Sequence, residues 1–275
     1  LGAKKKKDMI EVSHVSFGVK NRQLLEGISF AVAPGEFWAI VGANGAGKST
    51  LIKLLSSEQA PGSGSIFFKG KDLKSYKLRE LARLRAVLTQ QNTISLSFSV
   101  QEIVLMGRYP FYESAPAQRD LAIVDLCLQK VGISHLRSRL YPTLSGGEQQ
   151  RVQVARALSQ IWEVENGLLL LDEPTTGMDL LHQFETFQLA KEMTGKGFAV
   201  VAVIHDLNQA LQYADQVLML KEGRSYAAGS PAVVLTENNI QAAFGLPVRI
   251  FQPEQTGFPI IVPNVIPVLP EVSHI

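Results

Sequence analysis

With 275 residues, 46% of them hydrophobic and 19% charged, the chain can bury a large core and is excluded from the disordered and fibrous classes. A formal net charge of +2 excludes a general nucleic-acid binder, and the single cysteine, Cys127, excludes an internal disulfide and a multi-cysteine metal site. No run reaches the ~18 unbroken apolar residues that cross a bilayer, and no apolar stretch follows the basic Lys4–Lys7, so a soluble protein without a signal peptide is expected.

Taken in chain order, residues 1–9 read as a tail, and strand patterns follow at Ile10–Phe17 and Phe37–Val41. A glycine-rich loop leads into a helical run, Ser49–Ser57, and strands return at Ser65–Phe68 and Ala86–Thr89. From about 91 to 161 helical patterns take over. Leu121, Val124, Leu128 and Val131 recur at helical spacing and make one apolar face, with Cys127 a core thiol of the same helix. Strands resume at Leu168–Leu171, Ala199–Ile204 and Gln216–Leu220, alternating with helices Leu180–Thr194 and Leu207–Tyr213. The first two of these strands are continuously apolar, as central strands covered on both faces are. The alternation predicts an α/β fold with a parallel core, made of residues 10–90 and 162–245, and a helical subdomain inserted at about 91–161. Residues 246–275 are proline-rich and read as an irregular extension packed on the core.

The strongest local pattern is Gly42-Ala43-Asn44-Gly45-Ala46-Gly47-Lys48-Ser49-Thr50, placed between a strand and a helix. Glycines let backbone N–H groups crowd around phosphate oxygens at a helix N-terminus, where the helix dipole also favours an anion. Lys48 adds a mobile cation for the β and γ phosphates, and Ser49 a hydroxyl for Mg²⁺. Four leucines then run into Asp172-Glu173-Pro174. Two acids at the end of a buried strand are costly unless they meet a cation or a polarised water. Asp172 suits the Mg²⁺ shell, reached through water, and Glu173 suits the orientation and deprotonation of an attacking water. Such a pair can also mark a strand that simply reaches solvent; the phosphate loop in the same chain decides for the functional reading. His205 follows the apolar strand Ala199–Ile204, whereas His14, His135, His182 and His274 lack such a context. Leu144-Ser145-Gly146-Gly147-Glu148-Gln149-Gln150-Arg151 opens a helix that Ser145 can cap, exposing a second set of glycine N–H groups.

This last motif resembles the signature sequence of the ATP-binding-cassette (ABC) family, and the others fall in the order found there. Gln90 resembles the family's Q-loop glutamine, Thr176-Gly177-Met178-Asp179 its D-loop and His205 its switch histidine; the match spans roughly Ile10 to Gly229. The resemblance implies a P-loop NTPase core of ABC ATPase type, with an antiparallel β part beside the inserted helical subdomain. It implies a head-to-tail homodimer with ATP and Mg²⁺ between Gly42–Thr50 of one copy and Ser145, Gly146 and Gly147 of the other. Glu173 becomes the base, His205 the γ-phosphate contact, and Gln90 a Mg²⁺ and water sensor, with Ser49 and Asp172 completing the metal shell. One departure stands out: Val19 occupies the position where many members stack an aromatic ring on adenine, with Phe17 two residues earlier, and base selectivity is expected to be loose.

Phe98-Ser99-Val100-Gln101-Glu102 and Met106-Gly107-Arg108-Tyr109-Pro110 resemble importers of iron complexes, haem and cobalamin, in which this segment faces the permease. Leu81–Leu88 and Ala157–Trp162 resemble the haem-importing branch. The resemblance implies a peripheral motor on the cytoplasmic face of a bacterial inner membrane, bound to a multi-span permease dimer and served indirectly by a periplasmic binding protein. Haem is the expected cargo and a ferric siderophore or cobalamin the alternative; the motor itself needs no haem ligands. A cassette protein of translation or DNA repair is disfavoured by the single motif set, the lack of a heptad array and the near-neutral charge.

Overall fold

The computed structural model, which describes residues 8–89, 97–253 and 257–264, opens with two long antiparallel strands, β1 (Ile10–Val19) and β2 (Arg22–Val32). Next, β3 (Phe37–Val41) feeds the glycine-rich loop and α1 (Lys48–Leu55), after which β4 (Ser63–Phe68) and β5 (Lys71–Asp72) return to the first sheet, ordered β2-β1-β4-β5. A short helix α2 (Leu78–Ala82) and β6 (Arg85–Leu88) precede the helical region. That region holds α3 (Val100–Leu105), a 3-10 segment over Met106–Phe111, α4 (Gln118–Lys130) and α5 (Gly146–Ile161). The chain then alternates through β7 (Leu168–Asp172), α6 (Leu180–Gly195), β8 (Ala199–Val203), α7 (Leu207–Tyr213), β9 (Gln216–Lys221) and β10 (Arg224–Gly229). These strands form a second sheet, ordered β10-β9-β3-β8-β7-β6. It is parallel from β9 to β6, with β10 antiparallel at one edge. Finally α8 (Pro231–Val234) and α9 (Glu237–Phe244) lead to β11 (Val248–Phe251) and β12 (Ile260–Pro263).

The unbroken apolar strands are apolar because each sits between two cores. Along β3, Phe37, Ala39 and Val41 pack with the helices, while Trp38 and Ile40 pack with α1 and the antiparallel sheet. Leu169 and Leu171 face the first core and Leu168 and Leu170 the second. This is the two-residue period of a strand buried on both faces. The helical region adds Val100, Ile103, Val124, Leu128, Val152 and Leu158 to the first core. Between residues 97 and 161 the only strand-like pairing among the described residues is an isolated Ser99–Leu140 bridge. On α4 the buried stripe is Ile123, Val124, Cys127 and Leu128, with Leu121 at its margin.

Burial pushes the Cys127 thiol from its ordinary 9.0 up to about 12. At pH 8 the native thiolate fraction is therefore roughly a thousandfold below that of the unfolded chain, since the thiolate is the reactive form. Native protein should react with iodoacetamide at the rate of its unfolding, and not with the second-order kinetics of a free thiol. Rapid stoichiometric labelling of native protein would contradict this. Because the folded value lies above the unfolded one, the stability it contributes is complete below pH 9 and is lost as pH rises toward 12.

The segment after Gly245 is not irregular throughout. β11 and β12 form an antiparallel hairpin, with Val248 and Ile261 buried in the first core. Asn208 on α7 holds it like a strand neighbour, donating to the Ile261 carbonyl at 3.2 Å and accepting from its N–H at 2.8 Å. Glu237 accepts from the Ile250 N–H at 3.0 Å. Alternating Val248, Ile250 and Ile261 supply the apolar face that the prolines obscure in the sequence. No helix among the described residues is long and apolar enough to cross a membrane.

Candidate nucleotide site

The phosphate loop is set by its neighbours. Gly47 caps α1 at φ 101°, and a Cβ there would lie 2.6 Å from Leu25 Cδ2 and 2.9 Å from the Leu24 carbonyl. Only glycine fits both the left-handed backbone and the close approach of β2. From the other side, the turn between β9 and β10 braces the loop, Gly223 N–H donating to the Ala46 carbonyl at 3.3 Å. The buried Lys48 ammonium donates to the Gly42 and Ala43 carbonyls at 2.8 and 3.0 Å, which holds it at the mouth of the loop. Burial lowers its pKa, opposed by the charges of Glu173 and Asp172.

At the next residue of α1, the Ser49 hydroxyl donates to Asp172 Oδ1 at 3.1 Å. Asp172 ends β7, is 4% exposed, and is held above the ordinary carboxylate range, first by burial and then by the Glu173 charge. The Ser49 bond and the charges of Lys53 and Lys48 oppose that rise. Glu173 takes φ 52° as the chain leaves the sheet, and its Oε1 lies 2.6 Å from His205 Nε2. A left-handed glutamate costs about 1 kcal/mol or more, and such strain concentrates at functional sites. Lys48, Ser49, Asp172, Glu173 and His205 thus form one connected cluster at the ends of β3, β7 and β8. Between α6 and α7, Gln209 donates to Gln183 at 3.0 Å on a wall shared with Glu173 and His205.

Ser145 caps α5 reciprocally: its hydroxyl accepts from Glu148 N–H at 3.3 Å, and Glu148 accepts from Ser145 N–H at 2.7 Å. The Ser145 bonds lower the Glu148 pKa. Gly147 approaches the turn after Glu173 so closely that a Cβ would stand 2.8 Å from the Gly177 carbonyl, and Gln150 donates to the Pro174 carbonyl at 3.0 Å. Gly146 has open space where a side chain would be. The structure therefore seats Ser145–Gly147 on residues 174–178 of their own chain, while the Lys48 cluster is built from the strand ends. Asp179 caps α6 by accepting from His182 N–H at 3.0 Å. Val19 is 48% exposed at the end of β1, and Phe17 packs against the second core. Gln90 lies outside the described residues.

Residues 25–176 match the family described as "ABC transporter". Over 258 residues the chain is 45% identical to the hemin import ATP-binding protein HmuV of Gloeobacter violaceus, covering 93% of this chain and 94% of that one. The chain belongs to the ABC transporter family. An inward-facing structure of a protein described as a metal-chelate type ABC transporter matches with a TM-score of 0.78 and 28% identity, covering 94% of this chain and 97% of that one. A bacterial ABC transporter cassette solved as a dimer matches with a TM-score of 0.72 and 25% identity, covering 81% and 99%.

The donor set fits a magnesium nucleotide. Ser49 and Asp172 offer hard oxygens from two side chains, a hydroxyl and a carboxylate. Mg²⁺ prefers such sparse sites, because it keeps its waters and takes phosphate oxygens. Two contributors escape a motif-based reading of this ABC chain. Lys53, one turn and a half beyond Lys48, acts on Asp172 through its charge, and the Glu222-Gly223 turn braces the loop. The first carries no sequence signal. The second is visible as a Glu-Gly turn after an apolar strand.

Proposed function

We propose that this chain is the ATP-hydrolysing subunit of an importer that takes up haem, acting as a head-to-tail pair on the cytoplasmic face of a bacterial inner membrane beneath a permease dimer. The observation that carries the reading is the set Lys48–Ser49–Asp172–Glu173–His205, in which a phosphate loop, a hydroxyl bonded to a carboxylate and a second carboxylate held by an imidazole adjoin. Mg²⁺ neutralises charge on the β and γ phosphates when bound. Lys48 and the amides of Gly42–Thr50 hold the polyphosphate, Ser49 and Asp172 hold the metal, and Glu173 receives the proton of the attacking water. His205 keeps the Glu173 carboxylate turned toward that water and contacts the γ-phosphate. Ser145, Gly146 and Gly147 of a second copy close over the nucleotide, and Gln90 senses metal and water. Leu180 and Leu181, 81% and 61% exposed beside Asp179, offer apolar surface for that second copy.

A groove of about 630 Å³ between α2 and residues 106–113 supports the membrane partner. Leu78 and Tyr109 stand 76% and 56% exposed along it, beside the charged Arg79 and Glu113, a mixed lining of apolar, aromatic and charged groups suited to a permease segment. Haem as cargo rests on the relative from Gloeobacter violaceus; the structure described as a metal-chelate type ABC transporter leaves a ferric siderophore or cobalamin as the second reading. The test is copurification from solubilised membranes, followed by reconstitution into vesicles with MgATP. Accumulation of haem supports the proposal, and accumulation of a ferric siderophore or cobalamin in its place transfers the cargo to the second reading. Recovery with ribosomes and no permease would overturn the transport reading.

A further inference from the structure

Arg108 is 2% exposed in the middle of the helical layer, and it heads the largest fully buried side chains among the described residues. A guanidinium in that position is costly unless its nitrogens find partners. Here each of the three does. Nε donates to Asp120 Oδ1 at 2.9 Å, Nη1 to the Ser159 carbonyl at 2.9 Å, and Nη2 to Glu163 Oε2 at 2.9 Å. The Phe111 ring covers one face, its centroid 4.0 Å from Cζ. Both carboxylates are themselves anchored: Asp120 Oδ2 accepts from Ala117 N–H at 2.9 Å at the start of α4, and Arg119 pairs with the second oxygen of Glu163. One side chain thus ties the 3-10 segment to the first turn of α4 and the last turn of α5. The preceding residue tightens the joint. A Cβ at Gly107 would collide with Ser159 Oγ and the Arg156 carbonyl, so the segment lies directly on α5.

Of the residues that follow, Phe111 turns onto the guanidinium, while Tyr109, Pro110 and Tyr112 form one wall of the groove facing Leu78, Arg79 and Ala82. Arg79 and Arg83 reach across to the Pro110 carbonyl at 3.1 and 2.8 Å. Neither Arg108 nor its carboxylate partners line the groove, and none belongs to the nucleotide cluster. For stability alone an apolar filling would serve about as well as this buried ion cluster. What the planar three-way fork adds is a fixed direction for the backbone it carries.

We propose that Arg108 is a positioning residue for coupling to the membrane partner: its clamp fixes the Tyr109–Tyr112 wall, so that a permease segment seated in the groove can change turnover at the distant nucleotide. This rests on the groove being the permease-facing surface. Arg108→Met alone leaves Asp120 and Glu163 unpaired and tests folding as much as position. The decisive variant therefore combines Arg108→Met with Asp120→Asn and Glu163→Gln, which removes the charges around the buried guanidinium, leaves the exposed Arg119 to solvent and keeps an acceptor for Ala117 N–H. Arg108→Lys keeps the charge without the fork.

ATP hydrolysis is measured for the isolated chain and for the complex with the copurified permease, together with amide hydrogen exchange over residues 106–113. In both variants the isolated chain should turn over within twofold of wild type. Permease-dependent stimulation should fall at least tenfold in kcat with KM for MgATP unchanged, and exchange over 106–113 should rise about tenfold. Wild-type stimulation or unchanged exchange in these variants overturns the proposal and leaves Arg108 as a charge-balancing residue. Tyr109→Ala separates the two readings. If it loses stimulation while the neutral triple variant keeps it, the groove stands and the clamp falls. If Tyr109→Ala itself leaves stimulation intact, the permease-facing reading of the groove fails.

Discussion

Glu173→Gln is expected to lower kcat for ATP hydrolysis by about 10²- to 10⁴-fold while MgATP binding is retained, the range for loss of a positioned proton acceptor. The substitution keeps the shape of the side chain and leaves the strained φ of 52° as it is, so the turn at the end of β7 should persist. An amide can still bond His205, whose Nε2 sits 2.6 Å from the carboxylate. What disappears is a basic oxygen able to take a proton from water, together with one negative charge. That charge raises the Asp172 pKa, so its removal makes Asp172 easier to ionise and holds the metal at least as well. The variant should therefore bind a fluorescent ATP analogue with wild-type affinity and accumulate as an ATP-bound dimer on gel filtration. Single-turnover hydrolysis separates this from a release defect: the chemical step itself must slow. Near-normal single-turnover rates would remove Glu173 from the role of base.

The elements legible in the sequence are those whose burial leaves a simple pattern. β3 and α7 were bounded to the residue, because a five-residue apolar run before a glycine loop and a helix capped by Asp206 have sharp edges. β7 and β8 are nearly as plain, each differing by one residue at its end from the apolar runs Leu168–Leu171 and Ala199–Ile204, since both of their faces are buried and every position but Asp172 is apolar. β2 was missed for the opposite reason. Its buried residues Leu25, Ile28, Phe30 and Val32 are interrupted by Glu26 and by Gly27 at φ 63°, where the register with β1 shifts and the alternation slips. β10 left no pattern at all, for an antiparallel edge strand with neighbours on one side needs no apolar run, and Arg224–Gly229 is largely exposed. The β11–β12 hairpin was hidden behind Pro253, Pro259 and Pro263, although its buried side chains are ordinary strand residues.

The site divides along a similar line. Lys48 and Ser49 are candidates because a phosphate loop calls for those side chains, Asp172 and Glu173 because acids at a buried strand end call for a cation or a water, and His205 through the family resemblance alone. Their mutual bonds are not legible, since 123 positions separate Ser49 from Asp172 and only the parallel pairing of the strands unites them. Arg108 shows the limit most clearly. It was singled out within a run that resembles importers, yet nothing in Met106–Pro110 tells that its guanidinium is buried, because its partners Asp120, Ser159 and Glu163 lie on other helices.

Lys48→Ala should weaken MgATP binding by about 10²- to 10⁴-fold, which follows from losing two charge-assisted bonds worth roughly 1.5–3 kcal/mol each. The ammonium is already bound to the loop, through the Gly42 and Ala43 carbonyls, and is 6% exposed. It is therefore held in place for the polyphosphate and needs little ordering on binding. Burial lowers its pKa, which means that the fold bears a desolvation cost to keep the charge there. Removing it should consequently leave the melting temperature without nucleotide within a few degrees of wild type. The rise in melting temperature that saturating MgATP gives the wild type should vanish, because that rise scales with the logarithm of ligand over Kd. Lys48→Arg is the sharper comparison. It preserves the charge, but a planar fork cannot occupy the point-like position between two carbonyls 2.8 and 3.0 Å away, and affinity should fall nearly as far. Full affinity in both variants would mean that the backbone amides alone carry the phosphate.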